Sequence, residues 1–370
     1  MESHTFSSAD HARMSQALQL AERGLYGTSP NPRVGCVIVR DDRVVGSGWH
    51  ERAGQPHAEI NALNVAGAAA RGATAYVTLE PCNHHGRTPP CAEALIKAGI
   101  ARLVTAMRDP NPLVAGGGWT LLKQAGIEVQ TGLMEAEAKA LNIGFVARMT
   151  RQRPWIRMKI AASLDGKIAL SNGTSQWITG EAARRDGHRL RARSCAVLTG
   201  IGTVLADDPQ LTVRHVETSR QPLRVVVDSR LDIPVDARLL RGEGELIFTA
   251  AASEGKIIAL RDVGARSIVL PDENDHVDLV RMMQMLADFE INEVLVEAGC
   301  KLNGSLVNAG LVDELVIYLA PHLMGDAAQG MLKLPELTDL TGKRALRVHD
   351  LRTVGPDIRV IARFFSQESV

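Results

Sequence analysis

The sequence predicts an α/β protein built from two α/β domains, on three observations. With 370 residues the chain is long for one domain and natural for two. In both halves, apolar strand-like runs alternate with segments of helical periodicity, the pattern of a sheet layered with helices. Between the halves lies Met149-Thr-Arg-Gln-Arg153, polar and basic, followed by Pro154. A first domain is therefore expected over 1–148, a linker over 149–153 and a second domain over 154–370.

Composition narrows the partners. Apolar residues make up 45% of the chain and aromatics 4%, so aliphatic side chains must fill both cores. Lys plus Arg and Asp plus Glu are equal at 42 each, and a chain with no basic excess is a poor match for a nucleic-acid backbone. No apolar run approaches the length of a membrane span. The start, Met1-Glu2-Ser3-His4, lacks the basic and apolar blocks of a secretory leader. Five cysteines do not make a disulfide framework and suit a reducing cytoplasm. Cys36, Cys195 and Cys300 lie in or beside apolar runs and read as small buried residues.

In the first half, residues 10–24 read as an opening amphipathic helix. The turn-rich loop Thr28–Arg33 leads into a strand over 34–39, and Asp41-Asp42 turns the chain into a second strand, 43–49. From His57 to Gly67 apolar residues recur at helical spacing, which puts His57 near a helix start and Glu59 in its first turn. Thr74–Glu80 is a continuous apolar strand ending at Pro81. Pro89-Pro90 opens, and Gly99 closes, a second helix with Cys91 in its first turn. Strands at 102–107 and 127–131 and a helix at 141–148 complete the domain.

The chemistry of this half concentrates at His57, Cys82 and Cys91. One imidazole and two thiolates suit a zinc ion that keeps one coordination position open. Glu59, two residues from His57, can reach a water at that position; this is the H-x-E…P-C arrangement of zinc deaminases, where the Glu moves protons and binds no metal. Eight residues separate the two cysteines, more than in a compact Pro-Cys-x-x-Cys, so His84 or His85 is an alternative ligand on spacing alone. The two-thiol set is preferred, because each cysteine follows a proline at the predicted end of an element. His84, His85 and Arg87 then become either substrate-holding groups or a solvated loop.

In the second half, strands are expected at 155–162, 196–199, 223–228, 245–249, 293–297, 314–319 and 358–365, with helices at 181–193 and near 276–290 and 302–309. The helix 181–193 carries Arg184, Arg185, Arg189, Arg191 and Arg193, chiefly a solvated face. Val294–Gly299 and the residues that follow form a buried strand, a glycine turn and a helix start, a junction that offers backbone N–H groups to a phosphate. It lacks the G-x-G-x-x-G spacing of a dinucleotide fingerprint. The stretch 199–214 reads as a glycine turn followed by a charged loop.

A family resemblance adds to these readings. The run from Asn31-Pro32 and Val34-Gly35 through His57-Ala-Glu59 to Leu79-Glu-Pro-Cys82 and His84-His-Gly-Arg-Thr-Pro-Pro-Cys91 resembles the deaminase half of the bifunctional RibD family of riboflavin biosynthesis. Asp109-Pro-Asn-Pro112 and Gly116-Gly-Gly118 resemble the same half, and the long spacing between the cysteines is that family's own version of the signature. Lys159 with Ser163-Leu-Asp-Gly166, Ser175-Gln-Trp177, the run 199–214 and Val296-Glu-Ala-Gly299 resemble the family's reductase half. That half is similar in fold to dihydrofolate reductase and uses NADPH.

The resemblance implies a cytidine-deaminase-like α/β/α domain followed by a dihydrofolate-reductase-like α/β domain. It implies zinc on His57, Cys82 and Cys91, with Glu59 as proton shuttle and Asn31, His50, His84 and Arg87 lining the deaminase pocket. In the reductase it implies NADPH contacts from Ala161, Trp177, Thr203, Asp207, Ser229 and the loop Gly299, Cys300, Lys301, Leu302, Asn303, Gly304 and Ser305. Ser175, Arg191, Leu211, Arg214 and Glu297 would contact the substrate, with the guanidinium groups of Arg191 and Arg214 suited to fork onto its phosphate. Lys159 and Asp207 would serve proton transfer. The implied partner is a small phosphoribosylaminopyrimidine, with no nucleic acid and no membrane, acted on by a homo-oligomer. Two other readings remain on residues alone: a nucleoside or tRNA deaminase with an unrelated appendage, and a non-catalytic zinc-stabilised module. Neutral charge and the long Cys82–Cys91 spacing argue against the first, and Glu59 beside an open position argues against the second.

Overall fold

The computed structural model describes residues 5–83, 90–112, 114–242 and 244–365. The chain divides into two compact units, Met1–Gln152 and Arg153–Val370, each of mixed α/β structure.

The first unit is a five-stranded sheet between helices. Its strands are β1 (Gly35–Arg40), β2 (Arg43–Trp49), β3 (Thr74–Val77), β4 (Arg102–Thr105) and β5 (Glu128–Thr131), in the order β2-β1-β3-β4-β5. β1 runs antiparallel to both neighbours, and β3, β4 and β5 are parallel. The helices are α1 (Ser8–Glu22), α2 (Ala58–Ala66), α3 (Cys91–Ala98), α4 (Gly117–Gln124), α5 (Glu135–Leu141) and α6 (Ile143–Arg151). α1 starts in a capping box in which Ser7 and Asp10 satisfy each other's backbone N–H groups. α2 lies directly on β2: a Cβ at Gly46 would come within 2.3 Å of the Ala62 carbonyl oxygen, and one at Gly48 within 2.6 Å of Asn61 Cβ. Any larger residue at either position would push away the helix whose N-cap is His57.

Two local expectations differ from the structure. The helix expected at 141–148 is a pair, α5 and α6, that meet at Asn142. This buried side chain accepts from the Arg33 backbone N–H at 2.7 Å and donates to the Arg33 carbonyl at 2.9 Å, which ties down the loop Thr28–Arg33. The residues expected as a linker, 149–153, are helical through Arg151. Arg148 and Arg151 fall in the last turn of α6, where cations complement the exposed carbonyls.

The second unit has a nine-stranded sheet. Its strands are β6 (Trp155–Ser163), β8 (Ala196–Gly200), β9 (Leu223–Val227), β10 (Leu246–Thr249), β11 (Arg266–Val269), β12 (Glu293–Val296), β13 (Glu314–Ala320), β15 (Leu346–Val354) and β16 (Asp357–Phe364). The order is β11-β10-β9-β8-β12-β6-β13-β16-β15, and β7 (Lys167–Ala169) pairs separately with β14 (Gln329–Gly330). The sheet is parallel except for β16, antiparallel to β13, and β15, antiparallel to β16. The helices are α7 (Glu181–Arg193), α8 (Ile201–Asp207), α9 (Glu254–Asp262), α10 (Leu279–Asp288) and α11 (Cys300–Asn308). α8 replaces the loop expected after the glycine turn at 199–202. About two turns are too short to show a helical period in sequence, yet Val204 is buried with Val226 and Ile247.

The central strand β6 buries an arginine. Arg157 donates to Glu314 at 2.5 Å and to Glu293 at 3.1 Å, and those carboxylates also accept from Arg363 and Arg193 at 2.9 and 2.8 Å. A fully buried cation is tolerated only when paired in this way. Among the described residues no helix is long and apolar enough to cross a membrane.

Candidate active sites

In the first unit, three elements deliver three donors to one point. His57 is the N-cap of α2, Cys82 lies in the loop after β3, and Cys91 is the first residue of α3. His57 Nδ1 stands 3.7 Å from Cys82 Sγ and 3.3 Å from Cys91 Sγ, and all three donor atoms lie within 4.8 Å of one another. A tetrahedral ion with Zn–S near 2.3 Å and Zn–N near 2.1 Å has N···S edges of about 3.6 Å, so the donor set fits zinc. The Cys91 backbone N–H donates to Cys82 Sγ at 3.3 Å. Hydrogen bonding from Cys91 pulls the Cys82 thiol well below its ordinary pKa, which favours the thiolate a metal needs. His84, His85 and Arg87 lie outside the described residues.

Glu59 is buried in the first turn of α2 beside this cluster. Burial, and next the neighbouring Cys82 sulfur, push its carboxyl up to about 7, the range of a group that both takes and gives protons near neutrality. His50 is 5.2 Å from His57, ring to ring, and buried. Its Nδ1 pairs with the Pro56 carbonyl and its Nε2 with Asn31 Nδ2, both at 3.1 Å, so Nδ1 carries the proton and Nε2 accepts. Burial lowers the pKa of His50 and keeps it neutral. Asn31 and His50 are thus linked to each other at the edge of the cluster.

Sequence reading missed Glu80. This buried carboxylate accepts from four backbone N–H groups, those of Asp109, Gly116, Gly118 and Trp119, at 3.0–3.4 Å. It pins the segment just before Cys82 to the start of α4, where a Cβ on Gly118 would lie 2.0 Å from the Pro81 carbonyl oxygen. An acid closing an apolar strand ahead of Pro-Cys was the available signal.

In the second unit, a cleft of about 1330 Å³ opens at the C-terminal ends of β6, β8 and β12. It is lined by Lys159, Ala161, Ser175, Trp177, Arg191, Thr203, Asp207, Leu211, Arg214, Glu297, Gly299, Cys300, Lys301 and Leu302, so most of the expected residues meet at one site. Ser229, Asn303, Gly304 and Ser305 do not line it. Ser229 Oγ accepts the Val277 N–H, Asn303 turns its amide to the carbonyls of Ala298 and Met331, Gly304 packs on Lys333, and Ser305 bonds back to Lys301. Cys300, expected to be buried, is half-buried at the start of α11 in the cleft.

The charges of the cleft are interlocked. Glu297 takes Arg191 in a two-point pair, Nε at 2.5 Å and Nη2 at 3.1 Å, and has Lys159 Nζ at 3.8 Å. Burial pushes the Glu297 carboxyl up, but Arg191 and Lys159 outweigh it and hold it at about 2. Burial pulls Lys159 below its ordinary value, with Glu297 opposing. The fork of Arg191 therefore faces Glu297, and its Nη1 donates to the Thr212 carbonyl at 3.0 Å. Arg193 is likewise bound to Glu293, so α7 does not present a uniformly solvated arginine face. Asp207 accepts from Ser175 Oγ at 3.2 Å and Gln176 Nε2 at 3.1 Å, a tether rather than a free carboxylate. The N-cap of α11 is Gly299, with no side chain over the first-turn N–H groups, and a Cβ built there meets only Thr203 Oγ1, at 3.9 Å. That leaves the first-turn N–H groups of α11 without a side-chain cap, an arrangement able to meet an anion.

Both units match known families. Residues 7–107 match the cytidine and deoxycytidylate deaminase zinc-binding region, and residues 154–360 match the RibD C-terminal domain. Riboflavin biosynthesis protein RibD of Escherichia coli is 49% identical over 361 residues, 94% of this chain and 98% of that protein. The structure of Acinetobacter baumannii RibD, 44% identical, superposes with a TM-score of 0.91 over 97% of this chain and 99% of that one. A Thermotoga maritima deaminase/reductase, 33% identical, gives 0.86 over 96% and 99%. Fold, sites and matches define a bifunctional enzyme, a zinc-type deaminase followed by a reductase. The chain belongs to the RibD family, the deaminase/reductases of riboflavin biosynthesis. Membership brings zinc to the first unit and NADPH to the second.

Glu80→Ala should strand several buried N–H groups and free the Cys82 segment. Zinc affinity is expected to fall about 10–100-fold, the scale seen when groups that orient metal ligands are removed. Competition with a chromophoric chelator measures it; unchanged affinity would remove Glu80 from the site.

Proposed function

We propose that the first unit hydrolyses 2,5-diamino-6-(5-phosphoribosylamino)pyrimidin-4(3H)-one to 5-amino-6-(5-phosphoribosylamino)uracil, and that the second reduces the ribosyl group of that product to ribityl. The observation that carries the reading is the cluster of His57, Cys82 and Cys91 with a buried acid, Glu59, beside it and a cofactor-sized cleft on the same chain. The Thermotoga maritima relative, described as a diaminohydroxyphosphoribosylaminopyrimidine deaminase and 5-amino-6-(5-phosphoribosylamino)uracil reductase, supports the substrate assignment.

Zinc, when bound, supplies the polarisation that makes water nucleophilic near neutral pH. Glu59 takes one proton from the attacking water and passes it to the ring nitrogen, then takes the second from the new hydroxyl and delivers it to the amino group, which leaves as ammonia while the ring carbon keeps the oxygen. Asn31 and His50, locked to each other, hold the pyrimidine edge. In the second unit NADPH, when bound, supplies hydride to the anomeric carbon. Lys159 gives a proton to the sugar oxygen as the ring opens, and Glu297 orients Lys159. Arg214 receives the phosphate: among the described residues its Nη1 donates only to neutral oxygens, those of Gln210 and Thr212, at 3.0 and 3.1 Å. Asp207 holds Ser175 toward the substrate.

A homo-oligomer is proposed here too. β15 ends the nine-stranded sheet, with Val348 58% and Leu351 66% exposed, an apolar edge suited to a second copy. A cytoplasmic location fits five free thiols.

Incubating the protein with the diaminopyrimidine should release ammonia with or without NADPH, and NADPH should be oxidised only after deamination. Oxidation without prior ammonia release contradicts the order. Glu59→Gln should keep zinc by metal analysis yet deaminate about 10²–10⁴-fold more slowly; near wild-type turnover removes it as proton shuttle. Because the space at Gly299 is open, Gly299→Val should fold, raise the KM for NADPH and leave deamination unchanged; an unaltered KM removes this turn from the cofactor site. Leu351→Glu should shift the sedimentation coefficient toward a monomer, and an unshifted value speaks against this edge as the interface.

A further inference from the structure

The loop Asp208–His215 is backbone-strained. Asp208, Leu211 and His215, none of them glycine, sit at φ of 38°, 52° and 64°. Side chains disfavour this left-handed region, so the loop keeps its shape only if its surroundings impose it. The constraints are visible. Leu211 is buried with Val197 and Leu295, the Gln221 amide brackets Val213 with bonds of 2.7 and 3.3 Å, and Asp208 Oδ1 accepts the Arg238 N–H at 2.8 Å. Two more come from α7: Arg191 holds the Thr212 carbonyl, and His188 Nδ1 accepts the Arg214 backbone N–H at 3.0 Å.

His188 is set up for that single task. It is 93% enclosed, lines the cleft and meets His215 edge-on at 5.3 Å between ring centroids. It stands three residues before Arg191, on the same face of α7. Burial, then the charges of Arg191 and Arg214, hold its pKa down to about 4, so the ring is neutral and the Nδ1 lone pair is available. Every other tether acts on residues 208–213; among the described residues His188 alone fixes the backbone of Arg214 itself, which lines the cleft.

We propose that His188 is a positioning residue of the reductase, holding Arg214 where its guanidinium receives the phosphate of the ribosyl substrate. The proposal rests on the reading of Arg214 as the phosphate ligand. The loop is preassembled by α7, so the substrate need not order it on binding. His188 acts through one acceptor atom, and asparagine, whose Oδ1 can occupy the position of Nδ1, should substitute for it.

The test is steady-state reduction of pre-deaminated substrate by the full-length protein. His188→Leu should raise the substrate KM about tenfold, the scale of one lost acceptor for a buried N–H. Its kcat and its KM for NADPH should stay within about twofold of wild type, and His188→Asn should restore the substrate KM. The dephosphorylated substrate should not distinguish His188→Leu from wild type. Arg214→Met reports on the underlying reading: if it leaves the KM unchanged, the phosphate assignment falls and takes the proposal with it. If Arg214→Met raises the KM and His188→Leu does not, the proposal alone is overturned. It is also overturned if His188→Leu weakens NADPH equally, if the dephosphorylated substrate suffers the same loss, or if asparagine fails to restore the KM.

Discussion

Arg157 and Lys159 leave the same face of β6, and the way their charges are met organises the reductase unit. A cation inside a sheet must find anions at short range, because the interior cannot solvate it. For Arg157 these are Glu293 on β12 and Glu314 on β13, the two strands that flank β6. One strand repeat nearer the C-terminal end, Lys159 finds Glu297, the residue just after β12. The period of two along each strand therefore stacks two ionic layers, one sealed and one at the mouth of the cleft. α7 is clamped to both, by Arg193 to the lower layer and Arg191 to the upper. The sealed layer fixes where the helix lies, and the helix fixes the Leu211–Arg214 loop beside the cleft.

The deaminase unit solves a related problem with helix starts. Both α2 and α3 begin at the metal cluster, so the N–H-rich ends of two helices meet the thiolates and the acid. The glycines of β2 let α2 approach, and Glu80 fixes the loop that carries Cys82. Each device sets the distance between donors of the cluster, and a metal site is only as exact as the contacts that hold its ligands.

Much of this was legible in the sequence because it is local. The α/β alternation, the starts of α2 and α3, the donor identities and the Glu two residues from His57 are properties of short segments. They depend on periodicity, caps and ligand chemistry, which neighbouring residues express directly. The resemblance to the RibD family extended that reading to most of the residues that line the reductase cleft.

The tertiary structure alone decided which charges are already engaged. The family resemblance implies a substrate contact for Arg191, but its partner Glu297 lies 106 residues away and meets it only through strand order and helix placement. The same is true of Arg157 with Glu293, of Glu80 with the start of α4, and of His188 with Arg214. A residue's type is written in the chain, but its partner depends on register and topology that bring distant segments together. The sequence by itself determined the donor set His57, Cys82 and Cys91, the acid two residues from His57, and the family. The fold determined that Arg191 is paired with Glu297 and that His188 holds the Arg214 backbone, because only packing shows where each charge has gone.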